Sequence, residues 1–214
     1  MRFSVKSDGN WRAFRHRNYR ILYPANAASN IGGWVQRLAQ DWLVLELTNS
    51  GFYLGIVTAL QFAPVWFFSL PGGALADRFN KRKVLILTNI AAGLTSLILG
   101  ILVVTNNVQI WHVMALAFAL GVADAIDKPV RQSFTSEMVG VVDVPNAVSL
   151  NSANFNFGRL VGPALSGLMI AAFGTGPSFL INAFTYVLVI IVMANIREGE
   201  LFREPRAAGP TTIR

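Results

Sequence analysis

The chain has no cysteine, which removes disulfides, thiolate nucleophiles and cysteine-bound metals from consideration. Its two histidines, His16 and His112, cannot by themselves make a typical metal cluster. Charged side chains make up only 14% of residues, where a soluble globular domain carries about a quarter. No HExxH, GxSxG, P-loop or dinucleotide fingerprint occurs, and Gly72 and Gly73 lead into a charged loop instead of opening a phosphate cradle. With no acid, base or metal cluster in view, the chain reads as a non-enzyme that needs no cofactor.

What the sequence has in abundance is apolar surface. Hydrophobic residues reach 53%, mean hydropathy is +0.48, and the 15 Phe and 18 Gly are spread through repeated apolar runs. Lipid is the solvent such a composition suits. The pattern predicts an all-α, polytopic membrane helix bundle of about six transmembrane helices, each near the length a bilayer needs. The spans fall at residues 19–45, 52–75, 84–104, 110–125, 147–173 and 177–196, with Pro64 and Pro71 kinking the second and Pro129 breaking the helix after the fourth. Residues 1–18 form an N-terminal segment and 19–196 the bundle. Residues 197–214 read as a polar, Pro- and Gly-rich disordered tail or the start of a linker.

The formal net charge of +7 raises the question of nucleic acid. The basic residues sit beside apolar runs, however: Lys6, Arg12, Arg15, Arg17 and Arg20, then Arg78 to Lys83, Lys128 to Arg131, and Arg197, Arg203 and Arg206. The intervening turns near residues 48–51, Asn106 and Gly174 lack Lys and Arg. This alternation is the positive-inside pattern, so it accounts for the charge without nucleic acid and puts both termini on the cytoplasmic side. The first apolar run has no small-residue cleavage site and reads as a retained span.

Polar residues inside spans are the candidate functional groups, because lipid makes them expensive. In the first span Gln36 stands over Gln40 and Arg37 over Asp41 at i,i+4, a polar wall of a path or a locked ion pair. Asp124, Asp127, Lys128 and Arg131 crowd two turns after the fourth, with Asp124 and Lys128 able to share a face as a proton relay or a structural network. The fifth span opens with Asn151, Asn154 and Arg159, a stripe that lines a path or bonds neighbouring helices. Gly158, Gly162 and Ser166 recur every four residues, with Pro163 and Gly167 beside them, stripping bulk from one face for close helix approach.

The turn Gly73-x-x-x-Asp77-Arg78-x-x-Lys81-Arg82-Lys83 resembles the loop signature between the second and third helices of the major facilitator superfamily. Asn80 stands where Gly is usual and is expected to tolerate the left-handed backbone there. The stretch from Gly158 to Gly167 is similar to the fifth-helix motif of proton-coupled exporters of that superfamily, with Ser166 where a Gly is common. The runs from Trp42 to Ser50 and from Asp127 to Arg131 resemble its bacterial branch of drug and siderophore exporters, enterobactin-type and macrolide-type.

This resemblance implies efflux of a small amphipathic compound across the bacterial inner membrane by proton antiport. It implies a cytosolic gate at Gly73, Asp77, Arg78, Lys81 and Arg82. Arg37, Asp41, Gln36, Gln40, Asp124, Asn151, Asn154 and Arg159 are the candidate path or coupling residues. Gly158, Gly162, Pro163 and Gly167 are the packing motif. The resemblance spans roughly Phe14 to Ile196, the N-terminal half of such proteins, so a missing C-terminal six-helix half or a second copy is the expected partner. The rival is a non-transporting membrane scaffold or assembly partner, or an inactive fragment of a transporter.

Overall fold

The computed structural model describes residues 9 and 11–202, with the side chains of residues 69–78 outside the description. Its helices are α1 (Arg17–Thr48), α2 (Gly51–Arg78), α3 (Lys81–Val104), α4 (Ile110–Phe173) and α5 (Gly176–Ala194). Local chemistry sets their ends. Asn49 closes α1 in the left-handed region at φ 48°, a conformation Asn tolerates better than most residues. Gln109 and His112 form a reciprocal capping box at the start of α4. The role expected of Asn80 is corrected: its backbone is extended at φ −68°, and its side chain accepts a hydrogen bond from the Lys83 N–H. Asn is there as an N-cap, which Gly would not replace in kind.

At about 1.5 Å per residue, the 64-residue α4 would be roughly three times as long as a bilayer core is thick. It is broken at Gly140, where φ is +70° and ψ 161°. Its arms, residues 110–139 and 141–173, join α1, α2, α3 and α5 to make six rods. The break expected at Pro129 in the connector between the fourth and fifth spans is therefore corrected to a single-residue break at Gly140, with helix on both sides. Pro129 does not end the helix. It costs one hydrogen bond, and the burial of Val130, Phe134 and Met138 just beyond it outweighs that loss. Gly140→Ala is expected to cost about 1–3 kcal/mol, because that backbone region is essentially reserved for glycine. Thermal unfolding in detergent measures it.

The interior sets polar groups among apolar clusters, and the exterior is apolar. Asn18, Gln36, Gln40, Asn89, Ser96, Ser166 and Asn182 are buried, while Leu87, Leu94, Ile101, Leu160, Leu168 and Phe184 are exposed. Such a continuous apolar exterior is stable only against lipid. Among the described residues, α3, α4, α5 and the Gly51–Phe68 part of α2 are long and apolar enough to cross a membrane. The 32-residue α1 is long enough but carries Asn26, Asn30, Gln36, Arg37, Gln40 and Asp41. Its polarity reflects what it faces, and it packs extensively on α4 and α5.

One end of the bundle is tied together by charge. Lys81 pairs with Glu137 at 2.7 Å, and Arg82 donates to the Met193 and Ala194 carbonyls at the end of α5 and to Glu198. Arg12 and His16 reach Asp143 at 3.2 and 2.9 Å. Asn18 exchanges hydrogen bonds with the Arg197 backbone. The expectation of a disordered tail is corrected for its first residues. Residues 198–200 form a 3-10 turn, the Phe202 N–H donates to the Glu137 carbonyl at 2.7 Å, and a Cβ at Gly140 would touch the Phe202 ring at 3.3 Å. Residues 203–214 lie outside the described residues.

Candidate functional site

Between the helices lies a cavity of about 860 Å³, lined from α1, α2, α3, both arms of α4 and α5. Its walls mix amides, such as Asn26, Asn30, Asn151 and Asn182, with the rings of Trp34, Phe62, Phe155 and Tyr186. On α3 and both arms of α4 the lining positions, such as Thr88, Gln132 and Val148, fall mostly in the half nearer the charge-tied end.

The centre of its polar wall is Asp127. Arg131, one turn further along α4, donates Nε at 2.7 Å to one carboxylate oxygen and Nη2 at 2.9 Å to the other. Thr88 and Asn89 of α3 add bonds to Asp127 at 2.7 and 3.0 Å, and the remaining Arg131 nitrogen reaches Asn26 of α1 at 2.6 Å. This bidentate, fully partnered arrangement is what makes a largely buried ion pair tolerable. One ion pair thus fastens three helices around the cavity. Neither Asp127 nor Arg131 stands among the candidate path residues from sequence. Their i,i+4 spacing, with the lone amide Asn89 inside the apolar α3, was the readable signal.

The candidates named from sequence divide. Gln36, Arg37, Asp124, Asn151 and Asn154 line the cavity. Gln36 is buried and accepts from Asn182 at 2.8 Å, tying α1 to α5. Asp124 pairs with Lys128 at 3.0 Å. Asn151 accepts from the Tyr19 hydroxyl, and the Asn154 backbone carbonyl accepts from Asn30. Arg37 makes no ion pair with Asp41 among the described residues; its guanidinium lies 4.8 and 5.1 Å from the ring centroids of Trp34 and Phe62. Gln40 is buried outside the cavity wall, Asp41 also stands off it, and Arg159 is exposed and not among the lining residues. Lys81 and Arg82 sit at the charge-tied end, and the side chains of Gly73, Asp77 and Arg78 lie outside the described residues.

The small-residue stripe holds α1 against the second arm of α4. A Cβ at Gly158 would run into the Asn30 amide, and one at Gly162 into the Trp34 Cβ. The buried Ser166 hydroxyl donates to the Val35 carbonyl at 2.9 Å. Gly167 faces open space instead, and Pro163 lies within the helical arm. A further close approach is invisible in the motif: a Cβ at Gly121 would meet the Gln61 carbonyl of α2.

An apolar-coated helical bundle around an amide- and aromatic-lined cavity defines a membrane protein of transporter architecture. The family described as "transmembrane secretion effector" matches residues 8–204, and the chain belongs to it, within the major facilitator superfamily. The chain is 28% identical over 163 residues to the staphyloferrin A transporter of Staphylococcus aureus, covering 76% of this chain and 41% of that protein. It is 27% identical to the multidrug efflux pump Tap of Mycolicibacterium fortuitum, covering 83% and 44%, and 21% identical to macrolide efflux protein A of Streptococcus pyogenes, covering 96% and 50%. The chain thus spans half or less of the length of these relatives. The crystal structure of the POT family transporter PepTSo superposes with a TM-score of 0.74 at 17% identity, over 84% of this chain and 37% of that one, a likeness of fold.

Proposed function

We propose that the chain is the N-terminal six-helix half of a secondary exporter that moves a small amphipathic compound out across the bacterial inner membrane in exchange for protons. The observation that carries this reading is the cavity: a polar and aromatic chamber of about 860 Å³ inside a lipid-suited bundle. Its size is in the range of small-molecule sites. The relatives whose names specify a cargo are named for staphyloferrin A, for macrolides and for several drugs, all small molecules. The charge-tied end carries Arg12, Arg15, Arg17, Arg20, Lys81, Arg82 and Arg197, whereas the turns at the other end lack Lys and Arg. By the positive-inside rule that end, with both termini, is cytoplasmic.

The other wall of the path is supplied by a second six-helix half or a second copy, which rocks against this one. Lys81 and Arg82 make the cytoplasmic end one body, and the end of α2 with Gly73, Asp77 and Arg78 acts with them as the gate that latches one conformation. Asp124 is the coupling carboxylate, since it lines the cavity and its partner Lys128 is more than half exposed. Asp124→Asn is expected to cost at most about 1 kcal/mol of stability, as for other exposed ion pairs. It is expected to abolish substrate-driven proton movement while the bundle stays folded.

The direct test is reconstitution in proteoliposomes under an inward proton gradient, recording internal pH against a panel of lipophilic cations and siderophore-like anions. Substrate-dependent proton flux is the expected result. A sealed, folded preparation that stays silent, both alone and with a second six-helix half, contradicts the reading and favours a scaffold.

A further inference from the structure

The cavity's charges do not cancel. Its carboxylates are Asp124 and Asp127, and each is matched: Lys128 stands 3.0 Å from the first and Arg131 2.7 Å from the second. Arg37 also lines the cavity and makes no ion-pair contact among the described residues. Asp41, one turn further along α1, does not line the cavity; it is near enough to feel the Arg37 charge but forms no ion-pair contact with it among those residues.

What holds Arg37 is aromatic. Its guanidinium lies over Trp34 at 4.8 Å and near Phe62 at 5.1 Å, one ring from α1 and one from α2. Cation–π contact keeps the charge in place without neutralising it. The Arg37 Nε is buried and has no hydrogen-bond partner. A buried charged donor without an acceptor is costly, and an incoming carboxylate removes that cost through charge-assisted bonds. Arg131 shows the contrast within the same cavity, with its donors already committed to Asp127 and Asn26.

Resting on the reading of this cavity as a substrate path, the geometry points to Arg37, between Trp34 and Phe62, as an anion subsite that selects compounds carrying a carboxylate beside an aromatic or apolar body. The carboxylate meets the guanidinium edge while the apolar body lies along the rings. Arg37 then divides carboxylate-bearing cargo from its neutral isosteres, and the amides elsewhere on the wall contact both alike.

The test measures binding of 2-naphthylacetate and its neutral isostere 2-naphthylacetamide to the full chain in lipid nanodiscs by equilibrium dialysis. The wild-type chain is expected to hold the acid about tenfold more tightly, the scale of a hydrogen bond to a charged group. Arg37→Gln is expected to bring that ratio to about one, and Arg37→Lys to leave part of it, because ammonium keeps the charge but loses the planar fork. Equal binding of acid and amide by the wild-type chain overturns the subsite and leaves the cavity reading standing. Binding of neither compound overturns the subsite, and a silent proton-flux assay is the separate result that overturns the transport reading. An unchanged preference in a folded Arg37→Gln chain also overturns it.

Discussion

Asp127→Ala is expected to destabilise the bundle by about 3–5 kcal/mol, the cost of leaving one member of a buried pair uncompensated. Arg131 would lose both of its bonds to the carboxylate, and Thr88 and Asn89 would lose their link from α3 to α4. The bundle would lose the joint at which α1, α3 and α4 meet. Scanning unfolding in detergent is expected to show a midpoint lower by roughly 10 °C for a domain of this size. The informative comparison is Asp127→Ala with Arg131→Met, which removes both charges. Replacing a buried pair with apolar groups is often neutral, so the double substitution is expected to regain at least half of the loss. Thr88 and Asn89 each keep a bond to the Leu85 carbonyl in that background. A double variant no better than the single one would show that the site matters for shape and not for charge balance.

The second large effect is at Gly162. A methyl there would overlap the Trp34 Cβ and press to 3.3 Å on the backbone of Trp34 and Val35, atoms that cannot move without shifting α1. Gly162→Ala is expected to cost about 1–3 kcal/mol as overpacking, and Gly162→Leu to prevent a folded bundle. The separation would also break the bond from Ser166 to Val35. Gly167→Ala meets nothing within reach and is expected to fall within about 0.5 kcal/mol of wild type. Equal stability of Gly162→Ala and Gly167→Ala would remove the close approach from the account.

Much of this was readable from residue order. Apolar runs separated by short polar turns placed most of the rods, and the four-residue recurrence of Gly158, Gly162 and Ser166 marked a face that does meet α1. The connector after Asp124 misled because its polarity resembles a loop. Its charges are satisfied pairwise along a helix, and the chain turns instead at Gly140, one glycine among 18. The polar residues of α1 were legible as a group but not by orientation. Arg37 over Asp41 looks like an i,i+4 pair, yet Trp34 on the same helix and Phe62 on α2 take the guanidinium. Which partner wins depends on a neighbouring helix, and no spacing within one helix contains that information. Asp127 illustrates the same limit, since its importance comes from Thr88 and Asn89 some forty residues away.

The central claim is that the cavity is a water-reached ligand path open toward the cytoplasmic end. With no native cysteine, any introduced thiol is the sole one. The decisive measurement is the rate at which a membrane-impermeant thiol reagent labels Ser29→Cys and Ser152→Cys in membrane vesicles of known sidedness, beside Leu97→Cys on the outer apolar surface. Ser29 and Ser152 line the cavity, and Leu97 is exposed on α3. The account predicts labelling of both serine positions from the cytoplasmic side, well above Leu97→Cys and slowed by an amphipathic cargo. Labelling no faster than at Leu97, or unaffected by every compound of the panel, would contradict it.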